Sequence, residues 1–159
     1  MKTGKTERDQ LVKHLEGGLA YASIESFLDA IPFDKVGVRP KGLPYSFYEV
    51  FYHMFFAQKD ILNYAVADDY QPHNWPDDYW PENPFPESEE DWEDLKADFF
   101  EDRRLLKELI LNEEKNLSEP VQNSKEHSLF REILLVIEHS AYHTGQLLII
   151  QRLLGIYDN

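Results

Sequence analysis

Apolar residues recur every three or four positions along four stretches of the chain, which is the spacing of one face of an α-helix. The pattern predicts helices at about residues 6–31, 46–67, 88–111 and 127–154. No stretch alternates apolar and polar residues as a strand would. The predicted fold class is therefore all-α, a four-helix bundle with a long crossover loop between helices 2 and 3.

The first predicted helix ends at Pro32, which cannot continue it. A pair of glycines, Gly17 and Gly18, interrupts it and indicates close helix packing or a kink. Its predicted apolar stripe consists of Leu11, Leu15, Leu19 and Ala22.

Cap signals set the ends of the other predicted helices. Ser46 and Glu49 have the spacing of a capping box at the start of the second helix. Ser88 is a favourable N-cap for the third helix, and Gly155 is a favourable residue just past the end of the fourth.

The segment between the second and third helices, residues 68–87, is rich in prolines and aromatic residues. Its prolines are Pro72, Pro76, Pro81, Pro84 and Pro86. Its aromatic residues are Tyr70, Trp75, Tyr79, Trp80 and Phe85. Because a disordered linker would carry few aromatic residues, the composition predicts an ordered crossover or lid that packs on the bundle.

Composition and charge narrow the classes of partner. The chain of 159 residues fits one domain, spanning 1–159, and its net charge of −14 disfavours binding to nucleic-acid phosphates. It has no cysteine, and residues 1–10 lack the apolar core of a secretory signal. The fourth helix is apolar but carries several polar residues, so a buried helix is expected instead of a membrane span. The expected location is the cytoplasm, without a membrane or nucleic-acid partner.

Three histidines form the candidate site. His139 and His143 lie four residues apart, so both rings leave one face of the fourth helix and can share a metal ion. No glutamate follows His139, so the metalloprotease motif is absent. His53, at the edge of the second helix's apolar stripe, is the best third ligand. From the residues alone, a metal site and metal-free structural histidines both stay open.

Neighbouring polar residues have two interpretations each. Gln146 lies on the same face as His143 and is either a hydrogen-bond partner or substrate contact, or a polar core residue. Glu49 lies one turn before His53 and either orients its ring or serves only as the capping-box partner. Asp102 lies within an apolar stripe, where a salt bridge or a tyrosine bond is favoured over catalysis.

The remaining histidines are weaker candidates. His14 lies beside the apolar stripe of the first helix and is able to reach the core. His73 belongs to the aromatic loop and would approach the site if that loop is a lid. His127, at a helix start, is expected to face solvent.

Two segments resemble the DinB-like metalloprotein superfamily. The first is His139-Ser-Ala-Tyr-His143-Thr-Gly-Gln146-Leu, followed by Arg-Leu-Leu-Gly155, which is similar to that family's last helix. The second is Ser46-Phe-Tyr-Glu-Val-Phe-Tyr-His53, which is similar to its second helix. The resemblance implies a four-helix bundle in which His53, His139 and His143 bind one divalent ion, zinc or nickel. It also implies a homodimer and a small-molecule substrate.

Better-understood members of that family are thiol S-transferases or isomerases that use bacillithiol, mycothiol or glutathione. The resemblance therefore favours a metal-dependent transferase with a low-molecular-weight thiol as cosubstrate, or a related hydrolase in which the metal activates water. The alternative is a non-catalytic metal-binding or protein-interaction module, and a metal-free bundle is the third possibility.

Overall fold

Five α-helices make up the computed structural model, which describes residues 4–157. They are α1 Lys5–Glu16, α2 Ile24–Ala30, α3 Phe47–Val66, α4 Glu89–Leu111 and α5 Leu129–Leu153. Two single-turn 3-10 helices lie at Phe33–Lys35 and Asp77–Tyr79, and no β-strand occurs within the described range. The predicted all-α bundle is confirmed. The first three residues of the segment tested for a signal, and the last two of the predicted domain, lie outside the described residues.

The first predicted helix is two helices, because the chain leaves the helical conformation at the glycine pair. Gly17 and Gly18 have φ angles of 79° and 76°, in the left-handed region that favours glycine. The break turns Leu19 outward, where 62% of its surface is exposed, and Ala22 is exposed too. The predicted stripe is therefore wrong beyond Leu15.

Serine caps begin the three long helices. The Ser46 hydroxyl accepts from the Glu49 backbone N–H at 3.1 Å, and the Glu49 carboxylate accepts from the Ser46 N–H at 2.7 Å, which confirms the capping box. Ser88 caps α4, as predicted, and Ser128 caps α5 in the same way. Gly155 follows α5 with a φ of 69°, as a terminating glycine should.

Helix α3 lies at the centre of the bundle, packed against both α4 and α5, while α1 covers α4 and α5. Its first half shares one apolar cluster with the second half of α5, through Phe51, Leu147 and Ile150. Its second half shares another cluster with the first half of α5, through Leu62 and Ile133. The two helices are therefore antiparallel, and the middle of α3 faces the middle of α5.

A buried arginine joins three helices and was not predicted from the sequence. The Arg103 guanidinium donates to the Gln58 side chain at 3.0 Å and to the Ser140 hydroxyl at 2.9 Å. It also lies over the Phe99 ring, 4.6 Å from the centroid. Burial lowers the pKa of Arg103 to about 10, so the group stays charged and its neutral partners must solvate it.

The ion pair or tyrosine bond predicted for Asp102 does not form within the described residues. Its Oδ2 atom is buried and finds no hydrogen-bond partner between residues 4 and 157, and burial raises the pKa of Asp102 to about 6. The positive charge of Lys59 opposes this rise in the pKa, and its ammonium lies over the Phe55 ring, 5.1 Å from the centroid.

Helix α5 meets the length and composition of a membrane span, a test that core helices of soluble proteins also pass. Its inward face is buried in both apolar clusters. Its outward face exposes apolar residues, namely Phe130, Leu134, Tyr142, Ile149 and Leu153.

Two alanine substitutions should change stability in opposite directions. Gly17→Ala places a Cβ at a left-handed position and should destabilise the protein by about 1–2 kcal/mol. Gly145→Ala lies inside α5 with no atom within 4 Å of the added Cβ, so it should stabilise the protein by about 1 kcal/mol. Urea unfolding in one buffer measures both, and shifts of the same sign would contradict this description of α1 and α5.

Candidate metal centre

The structure brings the three predicted histidines together at the centre of the α3–α5 interface. One ring nitrogen of each lies within 4.8 Å of those of the other two, close enough for a single ion to reach all three. The Nε2 atoms of His53 and His139 are 3.0 Å apart. When the histidines, aspartates and glutamates of the described residues are compared, these three histidines are the group whose possible ligand atoms converge in this way.

Helix geometry accounts for this convergence. His139 and His143 lie one turn apart on α5, and their ring centroids are 4.3 Å apart. His53 meets them from α3, with ring centroids 4.8 Å from His139 and 4.7 Å from His143. His53 and His143 are buried, and His139 is half-buried.

Carbonyl oxygens fix the orientation of two of the rings. His53 donates through Nδ1 to the Tyr79 backbone carbonyl at 3.2 Å, and His143 donates through Nδ1 to the Gln146 side-chain oxygen at 2.6 Å. Since a carbonyl oxygen only accepts, each Nδ1 carries the proton, and the Nε2 lone pair is left to bind a cation. Gln146 thus occupies the position of a hydrogen-bond partner to a ligand histidine.

Burial keeps the three imidazoles neutral. Burial, followed by the nearby His143 ring, lowers the pKa of His53 to about 4. Burial and the two neighbouring imidazoles lower the pKa of His139 to about 3, and burial also lowers the pKa of His143. Neutral imidazole is the form that binds a metal ion, so the site is in its binding form at neutral pH.

The set of donors fits a divalent ion of the zinc type. Imidazole nitrogens suit zinc, nickel and copper, whereas magnesium and calcium prefer oxygen ligands. Three histidines leave one position of a tetrahedral ion open, which is typical of catalytic zinc sites and differs from closed structural ones.

The aromatic loop, residues 68–87, packs against this site, in agreement with the prediction that it is an ordered crossover. The indole of Trp80 stacks on the His53 imidazole, with centroids 4.3 Å apart and planes 3° apart. Trp75 lies 6.0 Å from the same ring and is 69% exposed. On α5, the ring of Tyr142, which is 67% exposed, contacts His143 with centroids 4.9 Å apart. The histidines therefore lie between a covered side and an edge lined by exposed rings.

The structure places the other predicted candidates elsewhere. The Glu49 carboxylate accepts two hydrogen bonds from the Arg39 guanidinium, at 2.9 Å and 2.5 Å. It also accepts one from the Ser46 backbone N–H. Its described hydrogen bonds thus belong to the helix cap and an ion pair, and not to the ring of His53.

The remaining histidines lie outside the cluster. His14 is exposed on α1 and does not reach the core. His73 packs its ring on Phe56, 4.9 Å away. His127 hydrogen-bonds the Tyr64 hydroxyl at 3.0 Å and is only partly exposed.

Sequence reasoning missed the contributions of Tyr79 and Trp80. The density of aromatic residues in the loop indicated that it would pack on the bundle. The choice of Trp80 as the ring that covers His53, and of the Tyr79 carbonyl as its acceptor, depends on the path of the loop. No spacing rule for helices or strands encodes that path.

Comparison with known proteins identifies the family of the chain. The model of a family described as the DinB superfamily matches residues 19–147, a span that contains all three histidines. Searches of curated proteins and of solved structures gave no match.

The affinity for zinc should depend weakly on pH between 7.5 and 5.5. Three ordinary imidazoles with a pKa near 6.5 would be about one-tenth neutral each at pH 5.5, and joint binding would weaken about a thousandfold. Because the pKa values of His53 and His139 lie near 4 and 3, protonation competes only at lower pH. We expect a loss below about tenfold, measured by competition with a chelator of known pH dependence. A loss near a thousandfold would show ordinary, solvated histidines.

Proposed function

Because the chain belongs to the DinB superfamily and gathers three neutral histidines around one point, we propose that it is a metal-dependent enzyme. The proposed cofactor is one divalent ion, zinc or nickel, bound by His53, His139 and His143. The proposed reaction is the transfer of a low-molecular-weight thiol to a small electrophilic substrate. The observation that carries the proposal is the convergence of three possible ligand atoms, one ring nitrogen from each histidine.

The chemistry requires a thiolate near neutral pH. A divalent ion with an open coordination position lowers the pKa of a thiol that occupies it. In the proposed transfer, the thiol proton passes to solvent and the thiolate sulfur forms a bond to the electrophilic carbon. The bond from that carbon to the leaving group breaks, and the leaving group departs with its electron pair into solvent. The three imidazoles are neutral, so they do not reduce the positive charge of the ion, which is what lowers the pKa of the thiol.

The residues around the histidines have distinct roles in this proposal. Gln146 holds His143 with its Nε2 toward the ion, through the bond to Nδ1. The stacked ring of Trp80 keeps water away from one face of His53. Trp75 and Tyr142 are the most exposed large apolar side chains described, and both contact site histidines. Such rings favour a flat, apolar electrophile.

A related hydrolase would use the same geometry with water in place of the thiol. A non-catalytic metal-binding or protein-interaction module is the second candidate. It is favoured by the burial of the site, since His53 and His143 are only 2% and 6% exposed and the aromatic loop lies over His53. In that case the ion would stabilise the bundle.

The proposed assembly is a homodimer in the cytoplasm, without membrane or nucleic-acid partners. The outward apolar residues of α5, such as Leu134, Ile149 and Leu153, support a second copy as the partner of that face. The net charge of −14 supports the exclusion of nucleic acid.

Thiol-dependent turnover of a flat electrophile tests the proposal. The zinc-loaded and nickel-loaded protein is mixed with a chlorobimane and with glutathione, bacillithiol or mycothiol in turn, and the fluorescent thioether is followed. We expect turnover with at least one thiol. His53→Ala should lower kcat/KM at least about a hundredfold, because one ligand is lost.

The matched control is His127→Ala, which removes a histidine bonded to Tyr64 outside the cluster and should leave turnover within about twofold. Metal content is measured for each variant. Turnover that is equal in wild type and His53→Ala would contradict a catalytic role for the centre. Bound metal without turnover would favour the non-catalytic module.

A further inference from the structure

Tyr79 connects a site histidine to a second residue of α3. Its backbone carbonyl accepts from His53 Nδ1 at 3.2 Å, and its hydroxyl donates to the Asp60 carboxylate at 2.5 Å. His53 and Asp60 lie about two turns apart on the same helix. One loop residue therefore bridges the ligand and a carboxylate that does not itself touch the ligand.

Asp60 is an unusual carboxylate for a surface helix face. Its side chain is 11% exposed, and its Oδ1 atom is buried with no hydrogen bond from the described residues. The nearest histidine nitrogen, Nε2 of His73, is 3.8 Å from Oδ1, beyond hydrogen-bond range. Burying a carboxylate with so few donors costs stability, and two loop tyrosines offset that cost. The Tyr79 hydroxyl donates to Asp60 directly, while Tyr70 lies close enough that burial and then the Asp60 carboxylate raise its pKa. Of the two, only the bond from Tyr79 also leads to His53.

The hydroxyl of Tyr79 is a reliable donor. Burial and the hydrogen bond to Asp60 raise the pKa of Tyr79, so the phenol keeps its proton at neutral pH. A bond from a neutral donor to a carboxylate is stronger than one between two neutral groups. The side chain of Tyr79 is thus fixed at its far end.

Further contacts of the Tyr79 ring help to hold the loop backbone in place. The ring lies between Phe56 and Trp75, with both centroid distances at 5.1 Å. The next residue, Trp80, stacks on the His53 ring. Two neighbouring residues of the loop therefore contact the His53 imidazole: Tyr79 through its backbone carbonyl and Trp80 through its indole.

We propose that Asp60 is a positioning residue for the metal centre. Through the Tyr79 hydroxyl it holds the loop backbone in place, so that the Tyr79 carbonyl keeps His53 with Nε2 toward His139 and His143. Asp60 contacts neither the ion nor the substrate. This inference depends on metal binding by the three histidines and not on the thiol transfer.

Removing either the Tyr79 hydroxyl or the Asp60 carboxylate should weaken metal binding for the same reason, because each change breaks the hydrogen bond between them. We expect Tyr79→Phe and Asp60→Ala each to lower zinc affinity about tenfold, the scale of losses seen when the partner of a ligand histidine is removed. The double variant should also lose about tenfold instead of a hundredfold, because both changes break one link. Zinc affinity is measured by chelator competition at pH 7.5.

Tyr64→Phe is the matched control, since it removes a tyrosine hydroxyl of α3 that bonds His127, while the ring that packs on Tyr70 of the loop is kept. Its zinc affinity should stay within about twofold of wild type. Asp60→Asn keeps an oxygen that can accept from Tyr79 and should recover most of the affinity. If Asp60→Ala does not fold, Tyr79→Phe with these two variants still decides the question.

A spectroscopic measurement separates positioning of the ligand from a general loss of stability. The visible spectrum of the cobalt-substituted protein reports the geometry around the ion, and its bands should shift in Tyr79→Phe but not in Tyr64→Phe. Wild-type affinity and spectrum in Tyr79→Phe would overturn the proposal, as would losses that multiply in the double variant. A wild-type chain that binds no zinc would overturn the metal centre itself, which is a separate failure.

Discussion

The antiparallel packing of α3 against α5 is the interaction on which the site depends. Large apolar side chains from both helices, among them Phe51, Leu147 and Ile150, are fully buried at this interface. Each contributes on the order of 2 kcal/mol of hydrophobic stabilisation. The packing fixes the register that sets His53 opposite His139 and His143. Burying three histidines opposes that stabilisation, and a bound cation would offset the cost by accepting their lone pairs.

The aromatic loop gives the site two unlike sides. On one side, Tyr79 and Trp80 contact His53 and cover it. On the other, the exposed Tyr142 ring lies beside His143. In the proposed enzyme, a ligand that approaches the histidines would pass the exposed rings of Trp75 from the loop and Tyr142 from α5. The same loop is tied to α3 through Asp60, so the structure of the crossover and the geometry of the centre are coupled.

The parts that follow local rules could be predicted from the sequence. Helix periodicity predicted the bundle, Ser46 predicted a cap, and the spacing of His139 and His143 predicted one shared face. The glycine pair was recognised as a weak point, but only backbone angles show that it ends the helix and turns Leu19 outward. The position of Lys59 over an aromatic ring, and the lack of an ion pair at Asp102 among the described residues, depend on side-chain packing that periodicity does not describe.

In the proposed metal centre, one divalent ion is bound by three imidazoles from two helices. X-ray absorption at the metal edge of the zinc-loaded protein tests it most directly, because the scattering of imidazole rings can be counted. We expect three imidazole nitrogens at about 2.0–2.1 Å and one further light atom in the wild-type protein, and two imidazoles in His53→Ala. A spectrum of the wild-type protein dominated by carboxylate or water oxygens, or unchanged in His53→Ala, would contradict it.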